Sequence, residues 1–292
     1  MKQKEEFDLT PELAGKLETL KKLVHHYQKI AIAFSGGVDS TLLLKIAHDE
    51  LGDGALAITI QSPTVTEDDL KDVHSFYKES GVNYVIVKLN QLNSASFRHN
   101  SADRCYICKT IEFTSMAKEA RKRGIHWIAA GINANDVHDY RPGLRALDEI
   151  GVVSPLKDAG MTKEDVRYLS KFYHLKTWDK PASSCLASRV QYGEKITEEK
   201  LKKISAAEHY LKSLHFRKLR VRYHQGNIAR IEVAPEERHL FFDTDVLDTI
   251  ADQFKKIGFN YTTLDLRGYR SGSMNETLDP RTKIQGTQLS HV

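Results

Sequence analysis

Ser35-Gly36-Gly37-Val38-Asp39-Ser40 packs two glycines, two hydroxyls and a carboxylate into one short stretch. That set suits a phosphate group. Glycine lets the backbone turn sharply and come close to a ligand. Free amides at a helix start, at the positive end of its dipole, attract an anion. Ser35 and Ser40 add hydroxyl donors. Asp39 would repel a phosphate unless Mg²⁺ stands between them, so Asp39 is a candidate metal ligand. The plainer reading is a glycine turn with Asp39 or Ser40 as the helix cap. A turn joining a buried strand to a helix favours the phosphate reading. No Gly-Lys-Ser/Thr follows, so this is not a Walker A loop.

Three cysteines offer a second chemistry. Cys105 and Cys108 form a CxxC pair at a loop-to-helix junction, and Cys185 lies in a later loop. Three thiolates can hold three irons of a 4Fe–4S cluster and leave the fourth iron open. They can equally be three ligands of a catalytic zinc. The spacing does not choose between them, and three unrelated buried thiols is the bland alternative. The odd count, in a chain with no sign of export, argues against a structural disulfide.

Arg220 and Arg222 in LRVRYH point the same way from one strand, because strand side chains alternate. Paired guanidiniums suit a phosphate, which each can grip through two donors. A solvated strand face is the alternative. Glu232 on the partner strand and Glu208 on the preceding helix add carboxylates near that face. Either could hold Mg²⁺ or simply pair with an arginine.

The elements that must position these residues read as follows. An amphipathic helix covers residues 10–28, with Leu13, Leu17, Leu20 and Leu23 at helical spacing. Ile30 to Phe34 is a buried strand, and a helix opens near Ser40. Ala55 to Ile60 is a second strand, Thr66 to Ser80 a capped helix, and Tyr84 to Leu89 a third strand. Gln91 to Arg104 is polar and irregular; residues 106–123 form a helix. Trp127 to Gly131 is a fourth strand, whose end, GINAND, should lie near the phosphate loop. Asp139 to Gly143 is a loop, Val152 to Leu156 a fifth strand, and Thr162 to Tyr173 a helix with a capping-box start. Ile196 to Leu214 is a helix, Leu219 to Tyr223 and Ile228 to Val233 form a hairpin, Asp243 to Ile257 is a helix, and Tyr261 to Leu266 is a last strand.

Strands alternating with helices predict an α/β fold: a parallel sheet with helices on both faces, followed by a small C-terminal α+β domain. Ligands of such sheets sit at the carboxyl ends of the strands, where the Ser35–Ser40 loop and Gly131 lie. The expected units are residues 1–193, residues 194–278 and a polar tail at 279–292 expected to be disordered.

The chain has 292 residues, 40% hydrophobic and 28% charged, ordinary for a soluble globular protein. No apolar run nears the roughly 20 residues needed to span a bilayer. The charged start MKQKEEFDLT has no signal-peptide core, so a cytoplasmic protein is expected. A net charge of +4 suits an anionic ligand without demanding nucleic acid.

SGGVDS resembles the PP-loop of the ATP pyrophosphatase superfamily, enzymes that cleave ATP to AMP and pyrophosphate. Taken with DYRPGL, KPASSCLASRVQYG, LRVRYHQGNIARIE and TLDLRGYRSGSMN, it resembles the ATP-dependent pyridinium biscarboxylate mononucleotide sulfurtransferases over residues 12–278. Those enzymes make the sulfur-bearing ligand of the nickel-pincer nucleotide, the cofactor of lactate racemase. The resemblance implies that a substrate carboxylate attacks the α-phosphate of ATP. Sulfur then displaces AMP and leaves a thiocarboxylate.

The sulfur source divides the family. One branch gives up the sulfur of its own cysteine and ends with dehydroalanine. The other carries CxxC and a third cysteine and resembles enzymes with a 4Fe–4S cluster. The sacrificial position, five residues before Arg189, is Ser184 here, and Cys185 lies one residue further on. The resemblance therefore implies the cluster branch, with Cys105, Cys108 and Cys185 as ligands and Lys109 beside them and the reacting carboxylate. It implies ATP at Ser35, Gly36, Gly37, Asp39, Ser40 and Gly131, and substrate phosphate at Ser188, Arg220 and Arg222. Glu208 would neighbour the substrate, and Glu232, with Asp39, the Mg²⁺. The partners implied are the mononucleotide and a sulfide or persulfide source. No membrane is expected, and the sequence leaves a homo-oligomer open.

A PP-loop tRNA thiolase with an iron–sulfur cluster is the main rival. The modest charge and the lack of a recognisable RNA-binding module count against it. An ammonia-using synthetase would not need the cysteines. A nucleotide-sensing protein would bind ATP without releasing pyrophosphate.

Overall fold

The computed structural model describes residues 8–138, 142–181, 183–270 and 272–278. Helix α1 (Pro11–Tyr27) starts on Thr10, whose side chain accepts from Leu13 N, with Pro11 in the first turn. Strand β1 (Ile30–Ala33) leads through the glycine loop into α2 (Val38–Leu51). Then come β2 (Ala55–Gln61), α3 (Glu67–Ser80) and β3 (Asn83–Lys88). Helices α4 (Ala95–His99) and α5 (Arg104–Arg121) precede β4 (Trp127–Ala130). Three helices follow: α6 (Pro142–Ile150), α7 (Pro155–Asp158) and α8 (Lys163–Phe172). The C-terminal part holds α9 (Glu198–Ser213), β5 (Leu219–His224), β6 (Ile228–Val233), α10 (Thr244–Ile257) and β7 (Tyr261–Leu264).

The first sheet has the order β3-β2-β1-β4, all parallel. Its central strands are apolar on both faces because helices cover both. Ile30 and Ile32 face the core shared with Leu20 of α1, Leu43 of α2 and Leu169 of α8. Ala31, one residue out of phase, faces the opposite core with Phe113 and Met116 of α5. This is the α/β arrangement expected from the sequence.

The second sheet, β5-β6-β7, pairs an antiparallel hairpin with a parallel last strand. Its core joins Ile204 of α9, Val221, Ile231 and Phe254 of α10. That core also takes in Leu92, Phe97, Cys108, Leu186 and Val190, all before residue 194. Among the described residues no helix is long and apolar enough to cross a membrane.

Two local expectations are corrected. Val152 to Leu156 is not a strand: Val153 alone bridges Ala129, and α7 begins at Pro155, which has no amide to continue the ladder. Gln91 to Arg104 is not irregular: it holds a turn at Gln91–Asn93 and α4, capped by Ser94. Five helical residues are too few to show a period in sequence. Of the loop expected at residues 139–143, Pro142 and Gly143 open α6, and Asp139, Tyr140 and Arg141 lie outside the described residues. So does the tail beyond Leu278.

Candidate active site

The glycine loop is built for close approach. Gly36 takes a left-handed φ of 69°, and a β-carbon there would meet Val73 Cγ2 at 3.0 Å. Gly37 caps α2 without a side-chain hydrogen bond. The loop is tied from within: Ser40 Oγ donates to Gly37 O at 3.1 Å and lies 3.2 Å from Ser35 Oγ, and Ser35 N donates to Ser40 Oγ at 3.3 Å. At the end of β4, a β-carbon on Gly131 would stand 2.7 Å from Ser40 N and 3.0 Å from the Asp39 carbonyl carbon. Gly131 therefore lets β4 and the start of α2 touch backbone to backbone.

Asp39 projects from the first turn of α2. Its carboxylate accepts from Asn133 Nδ2 at 3.1 Å and from Lys163 Nζ. Asn133 is held by Asn135 N, which donates to its Oδ1 at 3.0 Å, and Lys163 N donates to Asn135 Oδ1 at 2.7 Å. The GINAND stretch and the start of α8 thus converge on one carboxylate beside the loop. Lys180 reaches the loop from another side: its Nζ donates to Gly36 O at 3.3 Å and to Asp72 at 2.7 Å.

Lys180 opens a segment that links three regions. Leu186 N donates to Thr64 O at 2.8 Å, just beyond β2. Ser188 Oγ donates to Cys185 O at 2.8 Å, and Ser188 O accepts from Arg222 Nη1 at 3.4 Å. Gln191 N donates to Tyr223 O at 3.0 Å, so the segment ends as an added edge on β5. Arg189 holds its middle, donating to Cys185 O at 2.8 Å and to Ser184 O.

Cys105 and Cys108 occupy the start of α5; Cys108 is buried, Cys105 half-buried and Cys185 exposed. Burial pushes the Cys105 and Cys108 thiols up; the Arg104 charge opposes this at Cys105, and the Glu112 charge adds to it at Cys108. Cys108 Sγ donates to Glu112 Oε1 at 3.4 Å, and Gln91 Nε2 donates to the same oxygen at 3.0 Å. Lys109 Nζ donates to Glu112 Oε2 at 2.9 Å. Glu112 lies one helical turn beyond Cys108 and Lys109, so its carboxylate reaches both. Sequence reading passed over Glu112 and Lys163, which hold expected site residues through a helical and a tertiary contact.

The residues around the thiols are chemically suited to a thiolate-bound metal group. The donors are soft sulfurs from two segments, Arg104 stands beside them, and two buried polar atoms near them, Arg104 Nε and Gln91 Oε1, have no hydrogen-bond partner. As placed, no three His, Cys, Asp or Glu among the described residues group closely enough to hold a metal ion.

The arginine strand is more internally committed than its sequence suggests. Arg222 donates to Glu232 Oε2 through Nε at 3.0 Å and Nη2 at 2.8 Å. Glu232 is fully buried and also receives Ser273 Oγ at 2.7 Å and Arg230 at 3.2 Å. Glu208 is equally occupied, pairing with Arg189 at 2.9 and 3.1 Å and accepting from Val221 N at 3.0 Å. Arg220 lies over the Tyr269 ring, 5.3 Å from its centroid. Burial, followed by the Arg189 charge, lowers its pKa. An anion there would relieve both effects. The structure brings Ser188 to Arg222; Glu232 holds Arg222, and Glu208 holds Arg189 and the amide of Val221 between the two strand arginines.

A protein of Lactiplantibacillus plantarum, pyridinium-3,5-bisthiocarboxylic acid mononucleotide synthase, is 39% identical over 277 residues, covering 94% of this chain and 97% of the relative. This chain belongs to that synthase family. An uncharacterized protein of Synechocystis is 40% identical over 91% of this chain and 99% of its own length. Another, from Methanocaldococcus jannaschii, is 32% identical over 84% of this chain and 92% of its own length. The NAD synthase family matches residues 14–136, the part that carries the loop and the first sheet. Membership of the synthase family accounts for the PP-loop beside Gly131, and it extends through the arginine strand, which the NAD synthase match does not reach.

Proposed function

We propose that this protein activates a carboxylate of pyridinium-3,5-biscarboxylic acid mononucleotide with ATP and exchanges the attached AMP for sulfur, giving a thiocarboxylate. The observation that carries the reading is the segment Lys180–Gln191. It touches the glycine loop through Lys180, carries Cys185, and meets Arg222 through Ser188. ATP, a sulfur site and a phosphate-bearing substrate must meet in this reaction, and this segment borders a candidate for each.

In this reading Ser35, Gly36, Gly37 and Ser40 cradle the ATP phosphates, and Gly131 lets β4 close against them. Asp39 would hold Mg²⁺, which neutralises the phosphates during attack by the carboxylate. Lys163 and Asn133 aim Asp39. Arg220, Arg222 and Ser188 grip the substrate phosphate. Glu232 keeps Arg222 in place, and Glu208 braces the strand between the arginines through the Val221 amide; both have their oxygens occupied, which favours a support role for Glu232 over Mg²⁺. Lys109 lies beside the reacting carboxylate and offsets its charge.

Cys105, Cys108 and Cys185 would hold a 4Fe–4S cluster. A cluster with three protein ligands supplies an open iron at which sulfur can be carried. Ser184 stands where the sacrificial branch has its cysteine, which supports a renewable carrier.

The test is turnover. Anaerobically prepared protein, given the mononucleotide, ATP, Mg²⁺ and sulfide, should release AMP and pyrophosphate and form a product with sulfur in place of a carboxylate oxygen. Pyrophosphate release that depends on transfer RNA and ignores the mononucleotide would contradict the assignment and favour a tRNA thiolase.

A further inference from the structure

Arg104 directly precedes Cys105 and is only 3% exposed. A buried guanidinium is costly unless charge and hydrogen bonds compensate it. One arm is occupied: Nη1 donates to Asn100 Oδ1 at 2.5 Å. Its plane lies over Tyr192, 4.8 Å from the ring centroid. Its Nε, also buried, has no hydrogen-bond partner. Cys105, Tyr192 and Cys185 lie close enough for charge on them to bear on the guanidinium. The nearby ammonium of Lys109 is already paired with Glu112 at 2.9 Å.

We propose that Arg104 is the fixed countercharge of the three-cysteine ligand set, with its Nε–H reserved for the thiolates of that set. The proposal rests on the reading of Cys105, Cys108 and Cys185 as ligands of one metal group. Three thiolates bring negative charge into a partly dry site. A rigid cation with an unused donor lowers that cost and tunes the group it faces. Arg104 also has a mechanical connection. Asn100, which accepts from it, donates through Nδ2 to Gln191 O at 2.7 Å and Glu194 O at 2.8 Å. The start of α5 is thereby tied to the chain that follows Cys185, and a test must separate charge from this tie.

Full-length wild type, Arg104→Met, Arg104→Gln and Asn100→Ser would be loaded anaerobically with iron and sulfide. Iron per chain, the rate of iron loss to a chelator and the midpoint potential from the visible band would be measured. Pyrophosphate release and thermal unfolding would verify folding. Arg104→Met should lose iron about 10- to 100-fold faster than wild type. Its midpoint should fall, because removing a positive charge favours the oxidised form. Arg104→Gln, which keeps a donor for Asn100, should show the same fall and decides the matter if the Met variant does not fold. Asn100→Ser breaks the tie and keeps the charge, so its midpoint should stay at the wild-type value. Loaded wild type matched by the Arg104 variants in both iron retention and potential would overturn the countercharge alone. So would an equal potential shift in Asn100→Ser, which would make the role structural. Wild type that takes up no iron would overturn the ligand reading and this proposal with it.

Discussion

Arg189 and Glu208 form a doubly bonded ion pair, at 2.9 and 3.1 Å, with side chains 3% and 6% exposed. Through it α9 holds the loop that carries Cys185, because the same guanidinium donates to Cys185 O at 2.8 Å. Glu208→Ala leaves a buried, unpaired guanidinium and should cost about 3–5 kcal/mol of stability. Thermal unfolding measures this. The double variant Arg189→Met/Glu208→Leu should recover much of the loss, since an apolar pair of similar volume can replace a buried ion pair. An unfolding midpoint unchanged in Glu208→Ala would show that the pair does not brace the loop.

Asp39→Ala should abolish pyrophosphate release and leave the fold intact, because in the proposed role it removes the Mg²⁺-holding carboxylate from the first turn of α2. Lys163→Ala should reduce the same rate less, since Asn133 still orients Asp39 at 3.1 Å. Near-normal pyrophosphate release in Asp39→Ala would defeat the assignment of the loop.

At Gly131 the backbone itself is in the way. The methyl group added by Gly131→Ala would stand 2.7 Å from Ser40 N, so the start of α2 must move. A displacement near 1 Å can cost about 100-fold in rate. Gly131→Ala should therefore fall steeply in pyrophosphate release while the mononucleotide still binds. Loss of mononucleotide binding with unimpaired pyrophosphate release would contradict this placement.

The two strand arginines should behave differently in stability and alike in ligand choice. Arg222→Ala strips two hydrogen bonds from the fully buried Glu232 and should cost about 3 kcal/mol or more. Arg220→Ala should cost less. In the proposed role either change removes a charge-assisted phosphate contact, about 1.5–3 kcal/mol, and should weaken the mononucleotide far more than ATP. Equal losses for both ligands in titration calorimetry would move the pair out of the substrate site.

The strand–loop–helix around Gly36 was legible because the apolar run, the glycines and the helical leucines agree locally. The parallel sheet followed from the alternation of such units. Contacts between distant segments were not legible. Lys163 meets Asp39 across 124 residues, and no local pattern marks that meeting. Val153 reads as strand from its apolar neighbours, yet Pro155 turns the chain into a helix. Glu208 and Glu232 read as candidate ligands because sequence shows a carboxylate without its partner. The structure supplies Arg189 and Arg222, which occupy them.

In the proposed reaction sulfur passes through a renewable three-cysteine site and does not come from the chain itself. Intact mass of the protein, taken after repeated turnover alongside its iron content, tests this most directly. A renewable carrier predicts an unchanged mass, several turnovers with added sulfide, and activity that tracks iron. A single turnover by iron-free protein, with Cys185 converted to dehydroalanine by loss of H₂S, would contradict it.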